Sequence, residues 1–290
     1  MKALVIIVLA VVIFGSGGYG VYWMIIKPNQ ALKEEKAQPP GPPPPDPTVP
    51  EFDKCVALRK SGKLVPARAA FYTFIEQYPE SSKSGEAKDM LGEINTQIYL
   101  TPYPAPDKEI YVVKKGDVID RVARQTKTTS ELIARANGLK ANNARGIILQ
   151  INQKLSIPRL DLSLVISRKH EKVMVLDKGK FFKWYPILKW PPQLEKKPPT
   201  PGRPAPPVLK QVGKVTDRMA WVNNARVTYA DPTYLQATHW IQINIPHCTL
   251  HPILDEKAEN RPPGGGIVLS PRALEELGAL LNKGDVVTLE

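Results

Sequence analysis

The chain has 290 residues, with 40 Lys and Arg against 28 Asp and Glu for a net charge of +12, and only two cysteines. That length suits roughly two or three domains, and the cysteine count excludes a disulfide framework, leaving a single Cys55–Cys248 bridge open. The basic excess draws the chain towards anionic polymers or headgroups; an acidic envelope surface is the expected counterpart, and no nucleic-acid partner is expected.

After Met1-Lys2, the run Ala3 to Ile26 has no charged side chain over twenty-four positions. As helix it would be on the order of 36 Å long, enough to cross a bilayer. Tyr22 and Trp23 stand where an interfacial aromatic belt would lie. The expectation is an uncleaved single-pass transmembrane anchor over residues 1–26; a secretory signal cleaved after the small-residue stretch Gly15-Ser16-Gly17-Gly18 is the alternative. From Pro39 to Pro50, eight of twelve residues are proline, which favours extended polyproline II and a semi-rigid linker over 27–50. The later modules would then stand outside the cytoplasm, in the periplasm or cell wall.

Residues 51–100 carry apolar positions at helical spacing, among them Val56, Leu58, Phe71, Phe74, Ala87, Leu91 and Ile94. Gly62 and Tyr78-Pro79-Glu80-Ser81-Ser82 break them into short helices. The series Gly62, Ala69, Phe71, Phe74, Tyr78-Pro79, Ala87, Leu91-Gly92 resembles about one and a half tetratricopeptide repeats. So short an array cannot bury its own face, so it is expected to pack on a neighbour or to dock an envelope partner protein.

The next stretch begins with Tyr111-Val112-Val113-Lys114-Lys115-Gly116-Asp117, a short strand running into a Gly-Asp turn. Helices are expected over 120–125 and 130–137, with Thr129 or Ser130 as cap, and a strand over 154–158 closes a β-α-α-β unit. These landmarks resemble a LysM domain, placed here at 108–159. The resemblance implies binding of N-acetylglucosamine-containing glycan such as peptidoglycan, in a groove between two loops. The residues it nominates are Gly116, Asp117, Val118, Asn142, Asn143, Gly146, Ile147 and Ile148. Main-chain donors and acceptors on small turns suit acetamido sugars, which carry no charge to pair. Asn152 replaces the usual glycine before Gln153-Lys154-Leu155; asparagine tolerates the left-handed backbone that the turn needs.

From Asp161 onward the pattern is strand-rich, with runs over 162–166, 172–176 and 181–185 separated by polar turns. Ser270-Pro271 reads as a helix start. Between them lies His251, then fifteen residues on, Gly266-Ile267-Val268. With Thr200-Pro201-Gly202, Trp221, Asp231-Pro232, His239-Trp240-Ile241 and Gly284-Asp285-Val286, this frame resembles the L,D-transpeptidase (YkuD-like) domain over 161–290. In that family a cysteine attacks a stem-peptide carbonyl, with a histidine as base and a nearby arginine holding substrate. Carried over, the cysteine position is Gly266, a histidine position Gly264 and the arginine position Val268, while the upstream His251 survives. Glycine offers no nucleophile, so no catalytic residue is expected, and the domain reads as a pseudoenzyme. Cys248 is the alternative thiol, but residues i and i+3 of a strand face opposite ways, so it should not meet His251 without a bulge. For the same reason His247, Cys248 and His251 do not converge on a metal, and no cofactor is expected.

The expected fold class is multidomain α+β: transmembrane helix, proline-rich linker, helical repeat segment, β-α-α-β module and a mainly antiparallel β domain. The expected function is that of a membrane-anchored envelope protein gripping peptidoglycan glycan through the LysM module beside a silent transpeptidase-like domain. Two alternatives stay open: an active cell-wall transpeptidase or hydrolase using Cys248, and an adaptor whose helices recruit another envelope protein.

Overall fold

The computed structural model describes residues 46–140, 146–194, 210–223, 225–229, 231–253 and 265–290. The expected anchor, most of the linker, Asn142, Asn143, Gly264 and the Thr200-Pro201-Gly202 landmark lie outside these residues. Among the described residues no helix is long and apolar enough to cross a membrane. The chain divides into two units, Met1–Pro47 and Thr48–Glu290; the helices and strands below belong to the second.

Three helices come first: α1 (Val49–Lys60), α2 (Leu64–Gln77) and α3 (Ser84–Tyr99). The proline run does not end in extended chain, because Pro50 sits in the first turn of α1, where its fixed φ and missing N–H cost nothing. Phe52, Phe71, Phe74, Leu91, Ile94 and Ile98 are buried, the spacing that marked the helices in the sequence. Their common face is covered from within the chain by strand β5 (Lys180–Pro186). Tyr72 donates its hydroxyl to the Phe181 carbonyl (2.8 Å), and the Asn95 amide donates to the Phe182 carbonyl (2.7 Å). Gly92 permits the approach, since a Cβ there would meet Lys183 Cγ at 2.8 Å. Lys183 is itself buried and bonds Glu93 and Glu276 at 2.8 Å each.

The β-α-α-β unit follows as β1 (Lys108–Val112), α4 (Ile119–Gln125), α5 (Ser130–Ala136) and β2 (Lys154–Pro158). The strands pair antiparallel from Lys108↔Pro158 to Val112↔Lys154. Thr129 is the cap of α5, its hydroxyl accepting from Leu132 N at 2.9 Å. Asn152 takes φ +67°, the left-handed turn that the sequence assigned to it. Val113, Ile119, Val122, Ile133, Leu155 and Ile157 form the small core of this unit.

The C-terminal strands are β3 (Leu162–Ser167), β4 (Lys172–Asp177), β5, β6 (Gln211–Val222), β7 (Ala225–Val227), β8 (Thr238–Ile243), β9 (Leu250–His251), β10 (Ile267–Val268) and β11 (Val286–Leu289). They form a mixed nine-stranded sheet ordered β10-β9-β8-β6-β11-β3-β4-β5, with β7 on β6. Serial hairpins hold for β3 to β5. The last strand departs from them: after helix α6 (Pro271–Leu280) it inserts in the middle of the sheet, parallel to β3 and antiparallel to β6. The second parallel pair is β9 with β10. Ser270 caps α6 and Pro271 opens it, as its sequence requires.

The β-α-α-β unit is tied to this sheet domain along one seam. The Thr129 hydroxyl, besides capping α5, donates to the Ala279 carbonyl of α6. Arg135 binds Glu131 within α5 and Glu275 of α6, both at 2.7 Å, and Tyr234 donates to Glu131. Helix α5 thus serves two cores, placing Ile133 in the small one and Leu132 in the large one.

Candidate functional site

Two loops leave the same end of the β-α-α-β unit. In the first, Gly116 has φ +83° and its carbonyl accepts from Arg121 at 2.8 Å. Asp117 is occupied internally: one carboxylate oxygen takes the Lys114 N–H and the Tyr111 hydroxyl, each at 2.8 Å. These bonds hold its pKa below the ordinary carboxylate value, so Asp117 shapes the turn as a fixed anion. Val118 is 52% exposed. In the second loop Gly146 has φ +69°, and Ile148 is 54% exposed. Ile119, just after the first loop, and Ile147, in the second, pack on the same core and line the same cavity, which brings Gly116–Val118 and Gly146–Ile148 to one face. Asn142 and Asn143 fall outside the described residues.

The family model for the LysM domain matches residues 111–158. The LysM landmarks in the sequence thus coincide with the β-α-α-β unit and with the two loops. No curated protein matches the chain. Among solved structures, three L,D-transpeptidases are similar: a cysteine-to-serine mutant from Enterococcus faecium, one from Stackebrandtia nassauensis and one from Mycobacterium smegmatis. Identities are 17%, 15% and 13%, each with TM-score 0.28, covering 50%, 45% and 51% of this chain and 56%, 55% and 68% of theirs. The chain spans little more than half the length of the first two, and a likeness of this size carries no weight for activity.

At the other nominated site, β9 and β10 bring His251 beside Gly266-Ile267-Val268, with Val268 in register with His251. His251 is buried, and its Nδ1 lies 2.7 Å from the Pro252 carbonyl. A carbonyl only accepts, so Nδ1 carries the proton and Nε2 is left with its lone pair. Burial holds the imidazole pKa below the ordinary histidine value, against the opposing pull of Pro252 and Gly266 backbone groups. A neutral imidazole therefore faces position 266, where a Cβ would lie 3.1 Å from Nε2 but only 2.2 Å from the Thr249 carbonyl oxygen. The backbone has closed over the space that a side chain would fill. Val268 is buried; Gly264 falls outside the described residues.

Cys248 does not join this cluster. It is fully buried in the large core as a free thiol, and burial pushes its pKa up to about 11. Cys55 is likewise free and buried. Among the described residues no group of three or more His, Cys, Asp or Glu is placed to hold a metal. Residues not singled out in the sequence gather instead at the seam: Glu131, Arg218, Tyr229 and Tyr234, with His239, line a cavity there. The Glu131–Arg135 spacing reads as an ordinary helix-surface pair; only the docking of α5 on the sheet domain buries it.

Proposed function

We propose that the chain is a cell-envelope protein that binds peptidoglycan glycan through its LysM domain, while the C-terminal domain carries out no thiol chemistry at position 266. The observation that carries the first half is the LysM match over 111–158 together with the shared face of its two loops. Backbone groups on glycine-containing turns offer hydrogen bonds to uncharged acetamido sugars, and exposed Val118 and Ile148 offer apolar contact to their methyl groups. The net charge of +12 favours encounter with an anionic wall.

The second half is supported by the 2.2 Å approach of a Gly266 Cβ to Thr249 O and by the burial of Cys248. A thiol with a pKa of about 11 is almost wholly protonated near neutral pH, and the thiolate is the nucleophile. Anchoring through Ala3–Ile26 completes the proposal and holds the binding module on the outer side of the membrane. The adaptor reading is weakened because the apolar face of α1 to α3 is already covered by β5.

Co-sedimentation of the full chain with purified sacculi tests the proposal. Binding should persist after stem peptides are stripped and fall in Gly116→Trp, whose side chain would stand at a backbone turn of φ +83°. Unchanged sedimentation of that variant would remove the groove assignment.

A further inference from the structure

The seam between the LysM domain and the sheet domain forms a partly open cavity of about 280 Å³. Ile119, Glu131 and Ile147 come from the LysM side; Arg218, Tyr229 and His239 face them from the sheet domain. Tyr229 and Ile147 both pack on the small LysM core and both line the cavity, so the sheet domain supplies part of the wall that the loop carrying Ile148 also borders.

Two buried side-chain nitrogens of this wall make no hydrogen bond. His239 is only 6% exposed, and its Nε2 makes no hydrogen bond. Arg218 spends one terminal nitrogen on the Gly278 carbonyl at 2.6 Å, while its buried Nε is unsatisfied. A buried donor or acceptor without a partner is costly, and a ligand in the cavity would complete both. Burial holds His239 below the ordinary histidine pKa, hence uncharged. The charge nearby is mixed in sign: Glu131 is held by Arg135 and sits in the field of Arg218, Arg226 is held by Asp217, and the Asp120 carboxylate on the LysM side accepts from the Ser130 hydroxyl, so neither an anion nor a cation is favoured throughout. The His239 ring N–H is taken by the Ala237 backbone, so Nε2 is an acceptor. The complementary ligand is a polar, uncharged one with an acceptor for Arg218, a hydroxyl to donate to His239 and an apolar face for the Tyr229 ring. At about 280 Å³, just under the roughly 300–1,000 Å³ range of ligand pockets, the space suits a single sugar ring.

The geometry points to a composite subsite in which the sheet domain, through Tyr229, Arg218 and His239, holds one N-acetylhexosamine unit of the glycan whose neighbouring units lie on the LysM loops. This rests on the glycan-binding reading above and extends it: the domain without a nucleophile becomes part of the sugar site.

The test uses the full chain and N-acetylglucosamine oligomers of two to five units, with affinity measured by calorimetry and the ring nitrogens of His239 followed by NMR. Tyr229→Ala should weaken binding of the longest oligomer by roughly threefold to tenfold, the size of one lost aromatic contact. Saturating wild type should shift the His239 Nε2 resonance, a readout that holds even if Tyr229→Ala folds poorly. If Gly116→Trp abolishes binding while Tyr229→Ala binds as wild type and His239 stays unshifted, the composite subsite is overturned and the LysM groove stands. If wild type binds no oligomer, both fall together.

Discussion

Gly266 lies so close against His251 that a single added carbon would stand 2.7 Å from the imidazole Cδ2 and 3.1 Å from Nε2. Strands β9 and β10 set these two positions side by side. The 2.2 Å distance to the Thr249 carbonyl adds a further limit: this backbone has no room for the side chain. Gly266→Cys should therefore destabilise the fold by roughly 1–3 kcal/mol, the usual cost of overpacking, seen as a lower denaturation midpoint. A variant as stable as wild type would mean that β9 and β10 part readily.

Removing the ammonium of Lys183 should also cost stability. It is buried between Glu93 and Glu276, and the Glu276 carboxylate is also nearly buried. Lys183→Met leaves that carboxylate with only the exposed Arg272 guanidinium (3.1 Å) and the Tyr185 hydroxyl (3.0 Å), so the loss should lie at or below the low end of the roughly 3–5 kcal/mol for a broken buried pair. Adding Glu276→Leu should restore much of the loss. Urea denaturation of the single and double variants checks this; equal stability of the two would assign the loss to packing instead.

Asp285 sets a pH dependence of defined sign. Burial pushes its carboxyl from the ordinary 3.8 up to about 6. Between those values the folded state holds more protons than the unfolded one, so this group's contribution to stability falls as pH rises from about 4 to about 6. Asp285→Asn keeps an acceptor for the Asn282 N–H that Asp285 takes at 2.7 Å and removes the titration. Its melting temperature should exceed that of wild type above pH 6, and the gap should close towards pH 4. A gap independent of pH would contradict the assignment.

The turn at Asn152, with φ +67°, should accept glycine and resist other side chains. Asn152→Ala should lose about 1–2 kcal/mol, and Asn152→Gly should melt at or above the wild-type temperature. The reverse order would show that the asparagine side chain, not its backbone, is what the turn needs.

Local signals in the sequence carry over to the fold because the physics behind them is local. Thr129 and Ser270 cap their helices through bonds spanning three residues, and Asn152 carries its own backbone preference. What escaped was set by long-range contacts. The central insertion of β11 depends on strands about 75 and 120 residues earlier in the chain, and nothing in Val286 to Leu289 distinguishes a central strand from a hairpin partner. The bond from Arg135 to Glu275 spans 140 residues; it turns an ordinary helix-surface pair into part of a buried seam. The candidate site divides the same way: the glycines of the LysM loops announced themselves, whereas Tyr229 and Arg218 gain significance only once α5 docks on α6.

The most direct test of a glycan binder without thiol chemistry is the intact mass of the full chain after prolonged incubation with a carbapenem, which acylates a reactive active-site cysteine. With Cys248 sealed in the core and glycine at 266, the mass should remain that of the unmodified chain. A stoichiometric adduct, lost in Cys248→Ala, would contradict the proposal and make Cys248 the nucleophile of an active enzyme.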